Sequence, residues 1–222
     1  GGIDLSVGVS VDLSSMIFIM LIAAGYSGAF GVVGGITAAI GVGLTNAFLI
    51  NKLRMNPFLA TLGVLFIGQS VQRLSTQGGV PIYLTRPDFA APFDAITRTS
   101  LLGIPTPMVV LIICLVAVYL ALHRSVFGRY VSALGVQADV VRYSGIRASF
   151  HMSMVFISSA VLSGVSGILL SSTVRSYVPF AGDAFLLDAI GATFIGTAIS
   201  AERRPSVIGT LIGVLLLAVM RN

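Results

Sequence analysis

Long uncharged stretches of apolar residues alternate along this chain with short turns that carry its arginines and lysines. No charged residue lies between Asp12 and Lys52, from Thr99 to Leu122, or from Met152 to Val174. A helix rises about 1.5 Å per residue and bilayer hydrocarbon is about 30 Å thick, so each stretch is long enough to cross, the first of them twice. The turn at Gly25 to Gly28 divides that first stretch into spans at about 12–25 and 30–50. Pro57 opens a further span to about Leu74, Pro105–Leu122 and Phe150–Ser171 follow, and Ser206–Met220 is the last apolar run. The uncharged run Ala189–Ala201 is too short to span unaided, which leaves two readings: a span that takes in Asp188, or a broken, re-entrant helix. About seven crossings result, the pattern of an all-α integral membrane protein, a polytopic helical bundle.

Within the apolar runs the small residues are periodic. Gly31, Gly35, Ala39, Gly43 and Ala47 recur at four-residue spacing, as do Ser159, Ser163, Gly167 and Ser171, and Gly209 and Gly213 form a shorter pair. Such ridges let a neighbouring helix backbone come close, so they are read as packing faces. The stretch 74–104 has no helical period and holds several prolines and glycines; it is expected to be an irregular surface loop with room for a short strand or helix. Basic residues sort the turns into two groups. Lys52 and Arg54, then Arg124, Arg129, Arg142 and Arg147, then Arg203 and Arg204 all fall on one side if each run crosses once, and that side is cytoplasmic by the positive-inside rule. The loop 74–104 is then extracytoplasmic. Asp4 and Asp188 each begin an acidic, glycine-bearing stretch before a glycine-spaced helix, a faint internal repeat.

Composition agrees and narrows the chemistry. Hydrophobic residues make up 56% and charged ones 9% of the chain, at a mean hydropathy of +1.00, which excludes a soluble globular domain. The formal charge of +5 is spread singly or in pairs between apolar runs, with no continuous patch for nucleic acid. Cys114 is the lone cysteine, so no disulfide forms within the chain. His123 and His151 stand apart, with no H-E-x-x-H pattern and no Walker-type phosphate loop, so there is no catalytic or metal site to assign and ATP would have to be bound elsewhere. Carboxylates in or near apolar stretches, the usual seat of ion coupling, are confined to Asp4, Asp12 and Asp188. Asp188 is read as a helix N-terminal cap in preference to a ligand for a hydroxylated solute. Asn46, Thr61, Gln69, Gln72, Thr193 and Thr197 have the chemistry to face a sugar in a translocation path, although polar residues in spans also join helices. Candidate path residues are Asn46, Thr61, Gln69, Asp188 and Thr193.

The polar segment 123–151 between two long spans is where the chain's organisation centres. Gly135 is expected to provide a turn, Asp139 and Arg142 to sit in the first and last turns of a short surface helix at 133–146, and Gly145 to stop it. The run G-R-Y-V-S-A-L-G, with Ala138 to Arg142 and S-G-I at Ser144 to Ile146, resembles the cytoplasmic coupling loop of ABC importer membrane subunits. The resemblance extends to G-G-I-D-L-S-V-G at Gly1 to Gly8, to L-D-A-I-G-A-T-F-I-G at Leu187 to Gly196, and to S-V-I-G-T-L-I-G at Ser206 to Gly213. It points to ribose-type monosaccharide permeases, in the broad family that includes branched-chain amino-acid permeases. What it implies is a single transmembrane permease domain over residues 1–222, incomplete at both ends, in the bacterial inner membrane. Its implied partners are ABC ATPase subunits, an extracytoplasmic solute-binding protein, a second permease copy or homologue, and the lipid bilayer; no cofactor is implied. The ATPase-coupling residues are then Ala133, Leu134, Gly135, Asp139, Arg142, Ser144 and Gly145. Departures from the family pattern are Val136, the Val140 and Val141 pair, and Ala201 to Pro205 where a glycine-rich turn is usual. A branched-chain amino-acid ABC permease and a stand-alone secondary transporter or channel are the alternatives.

Overall fold

The computed structural model describes residues 3–84, 90–101, 103–137, 141, 143–200 and 205–221. In chain order the helices are α1 (Val7–Ala23), α2 (Gly28–Asn51), α3 (Pro57–Ser75), α4 (Ala90–Thr97), α5 (Thr106–Tyr119), α6 (Val126–Val136), α7 (Ala148–Val174), α8 (Gly182–Ile199) and α9 (Val207–Arg221). Two-residue strands β1 (Ile82–Tyr83), β2 (Ser100–Leu101), β3 (Ile104–Pro105) and β4 (Ser176–Tyr177) form two antiparallel pairs, β1 with β4 and β2 with β3. Among the described residues four helical stretches are long and apolar enough to cross a membrane: α2, α5 with its π-helical continuation to Arg124, α7 and α8. The last of these takes in Asp188 as one unbroken helix, so the chain is not broken at Ala189–Ala201.

Local signals place the helix starts. Ser27 accepts a hydrogen bond from Phe30 N at 3.3 Å, Asn56 from Phe58 N at 2.9 Å just ahead of Pro57, and Ser206 from Gly209 N at 3.0 Å. Gly25, at φ +87°, makes the turn between α1 and α2 that other residues adopt only with strain.

At the centre α1, α2 and α7 pack together, because lipid offers no hydrophobic drive between apolar helices and close approach must supply the attraction. The predicted ridge on α2 is buried: a Cβ on Gly35 would come within 2.9 Å of the Ser14 carbonyl, and one on Gly43 within 2.8 Å of Ile157 Cα. Ser14 Oγ donates to Gly164 O at 3.0 Å and Ser15 Oγ to Gly167 O at 2.8 Å, tying α1 to the small face of α7. The pair Gly209 and Gly213 meets Gly196 and Ala192, so α8 and α9 form a close antiparallel hairpin. Helix α5 buries no residue in this chain and presents Leu111, Ile112, Ile113 and Val116 outward.

Two cross-links sort the loops by side. The β1–β4 pairing puts Ile82–Tyr83 and Ser176–Tyr177 together on one face, while Asn51 Nδ2 donates to Ser149 O at 3.1 Å and Ser153 Oγ at 2.8 Å on the other. The grouping agrees with the distribution of basic residues. The stretch 74–104 is not merely surface: within it α4 inserts Phe93, fully buried, edge-on against Phe18 at 5.8 Å. A single large aromatic is enough to anchor such a segment, and it carries no periodic signal.

Candidate functional site

Two regions concentrate the chain's polar and cavity-forming residues. One lies beneath α6. Ser125 caps this helix by accepting from Gly128 N at 3.1 Å, so it starts at Val126, well ahead of Gly135, and runs through it to Val136. The expectation of a turn at Gly135 is therefore corrected: an N-cap upstream nucleates the helix, and Gly135 is an exposed helical position with open space where a Cβ would lie. Ala133 is likewise exposed and Leu134 half-buried, while Asp139 and Arg142 lie outside the described residues. Ser144 and Gly145 form the turn before α7, with Gly145 at φ +77°, a conformation suited to a helix stop.

Between α6 and the ends of α3 and α7 sits a cavity of about 640 Å³ whose walls include Leu134, Gly135, Pro57 and Met152. A second, of about 650 Å³, shares Leu134, Pro57 and Met152 and extends to Asn51 and Arg54. Leu134 thus stands between two spaces rather than in a packed seam. What grips α6 is aromatic: His151 on α7 lies against Phe127 at 5.9 Å and Tyr130 at 5.2 Å, its Nδ1 at 3.0 Å from Arg147 O.

The other region is a polar web inside the bundle. Asn46 Nδ2 donates to Ser6 Oγ at 2.6 Å, Ser6 Oγ donates to Asp4 at 2.7 Å, and Ser159 Oγ reaches the other Asp4 oxygen at 3.2 Å, which joins α2, α7 and the residues ahead of α1. Farther along, Gly182 N donates to Asp12 Oδ1 at 2.8 Å, and Gln72 Oε1 accepts from both Tyr177 OH at 2.9 Å and Phe180 N at 3.0 Å. Burial, and secondarily the Asp12 charge, push the Tyr177 hydroxyl above its ordinary range, so it stays a neutral donor. Among the described residues no group of three or more His, Cys, Asp or Glu side chains is placed to hold a metal ion.

The path candidates take up the following places. Asn46 and Thr61 are fully buried, Thr61 donating within α3 and toward Ile3 O; Gln69 donates to Asp183 at 3.0 Å; Thr193 donates to Ala189 O of its own helix. Asp188 caps nothing: it lies in the middle of α8 and accepts from Arg221 of α9 at 2.7 Å. The carboxylate that meets the start of α8 is Asp12, from another helix, because the chain folds α8 back onto α1 where Gly8 and Gly182 touch. Nothing near Asp188 in sequence reports that fold-back; the carboxylate in an uncharged stretch at Asp12 is the signal that was present.

The profile of the family described as "Branched-chain amino acid transport system / permease component" matches residues 1–222. The chain belongs to this permease family. It is 32% identical over 222 residues to the ribose import permease protein RbsC of Bacillus subtilis (strain 168), covering 100% of this chain and 68% of that protein. It is also 32% identical over 225 residues to the autoinducer 2 import system permease protein LsrD of Yersinia pestis (strain Pestoides F), covering 100% of this chain and 67% of that protein. No solved structure matches the permease. Family and apolar helices together make it a multi-pass membrane protein.

Proposed function

We propose that this permease is the translocation subunit of an ATP-binding-cassette importer for a monosaccharide or sugar-like solute, seated in a bacterial inner membrane. The observation that carries the reading is the alignment of the whole chain with a ribose import permease at 32% identity. The second relative, named for autoinducer 2 import, favours the sugar-like class over branched-chain amino acids. In this reading the chain crosses about seven times with 123–151 on the cytoplasmic side, supported by the basic residues gathered there. ATP is hydrolysed in separate partner subunits, a solute-binding protein delivers cargo from outside, and a second permease copy or homologue completes the path.

Mechanically, the partner ATPase would bear on Ala133, Leu134, Gly135, Asp139, Arg142, Ser144 and Gly145. Its motion would pass through the α6 aromatics to His151 and hence to α7, with the cavities beside Leu134 as room for α6 to move. Asn46, Thr61, Gln69, Asp188 and Thr193, on α2, α3 and α8, would as path residues each trade a present bond for one to solute. Reconstitution in liposomes with the ATPase and binding protein, followed by uptake of labelled ribose and related sugars, tests the proposal. ATP-dependent uptake that requires the binding protein is expected. Uptake by the permease alone, driven by an ion gradient, would refute it.

A further inference from the structure

We infer that Asp12 and Gln72 are positioning residues for transport: together they latch the Arg175–Asp183 segment, and with it the start of α8, and the latch opens and re-forms in each cycle. The inference rests on the transport reading above.

Two helices converge on this one stretch of chain. From α3, Gln72 accepts two hydrogen bonds, from Tyr177 OH at 2.9 Å and Phe180 N at 3.0 Å, and Gln69 donates to Asp183 Oδ2 at 3.0 Å. From α1, Asp12 accepts from Gly182 N at 2.8 Å. Asp12 and Gln72 are 2% and 0% exposed, so these bonds form away from water and hold strongly.

The segment so held is strained. Arg175 and Phe180 have φ of +50° and +64°, a region that side-chain-bearing residues adopt only when their surroundings impose it. Behind it lies a cavity of about 270 Å³ walled by Asp12, Ser15, Ser171, Tyr177 and Phe185 among others, which gives the segment somewhere to go. At the seam α8 starts on α1 through Gly8 and Gly182, backbone against backbone with no side chain between them. Finally, Asp12 Oδ2, Gln72 Nε2 and Asp183 Oδ1 make no close hydrogen bond among the described residues, and the Gln72 amide stands near enough to the Asp12 carboxylate to act on it. Buried polar groups left unpaired are costly, so this arrangement leaves the same residues able to bond in a second one.

The test uses the permease reconstituted with its ATPase and binding-protein partners. Asp12→Ala and Gln72→Leu remove the acceptors, whereas Asp12→Asn and Gln72→Glu keep an acceptor oxygen. Removing the acceptors is expected to lower uptake about tenfold while ATP hydrolysis without binding protein stays at or above the wild-type rate, and the conservative variants are expected to transport nearly as wild type. Amide exchange of the wild-type complex is the second measurement: at Phe180 and Gly182 it should rise during ATP turnover and fall back when nucleotide is exhausted. Normal uptake by Asp12→Ala and Gln72→Leu, or exchange there indifferent to turnover, overturns the latch. So does loss of uptake and ATPase together in all four variants, which marks a fold defect instead. A wild-type complex that moves no solute defeats the transport reading, and it does so independently of the exchange result.

Discussion

Gly43 offers the sharpest test of how this bundle holds together. A methyl group there would lie 2.8 Å from Ile157 Cα and 3.1 Å from both Phe156 O and Ala160 Cβ, where ordinary contact begins at 3.4 Å. Backbone, not a flexible side-chain tip, is in the way, so Gly43→Ala forces α2 and α7 apart by about half an ångström or forces α7 to bend. Overpacking of this kind costs about 1–3 kcal/mol. Separation also weakens the Asn51 bonds to Ser149 and Ser153 farther along the same seam, at about 0.6 kcal/mol each for a polar contact between membrane helices. Against this, alanine is the better helix former by about 0.5–1 kcal/mol. Gly41, in the same helix with open space where its Cβ would lie, isolates that gain.

Gly41→Ala is therefore expected to stabilise slightly and Gly43→Ala to destabilise by about 1–2 kcal/mol. At roughly 2–4 °C per kcal/mol for a chain of this size, the two variants should differ in Tm by about 3–12 °C. Thermal unfolding of the purified permease in detergent measures the difference. Equal Tm values for the two variants would refute close glycine packing between α2 and α7.

Two further outcomes follow from the coupling region and the loop arrangement. Gly145→Val should abolish uptake and nucleotide coupling while leaving membrane insertion intact, because a β-branched residue at φ +77° is strained by about 1–2 kcal/mol or more; Gly135→Ala, at a helical position with space around it, should leave the fold undisturbed, and insertion assays beside ATPase measurements separate the two effects. In a Cys114→Ser background, cysteines at Arg54 and Ser132 should react with an impermeant thiol reagent only from the cytoplasmic side and one at Tyr26 only from outside, whereas labelling of Ser132→Cys in intact cells would invert the proposed topology.

Much of the helical framework is legible along the chain because its determinants are local. The length of an uncharged run, the proline and asparagine at the start of α3, the glycine between α1 and α2, and the four-residue ridges on α2 and α7 act over one or two helical turns, and the structure places helices and contacts where they indicate. The coupling region was less legible. The glycine at position 135 reads as a break, but Ser125, with its side chain on Gly128 N, had already started a helix that passes through it.

Carboxylate roles were decided in three dimensions. Asp188 stands at the edge of an uncharged run and looks like a cap, yet α8 begins earlier and α9 folds back to bring Arg221 to it. The cap is Asp12, far off in sequence, and Phe93 is buried from within a stretch that reads as loop. A hydropathy pattern records how each residue prefers water or lipid, which is enough to say that this chain lives in a membrane and which segments are apolar enough to cross. It holds no record of which helices meet, and a buried carboxylate or amide takes its role from the backbone that tertiary packing happens to bring within 3 Å of it, a matter of the whole fold.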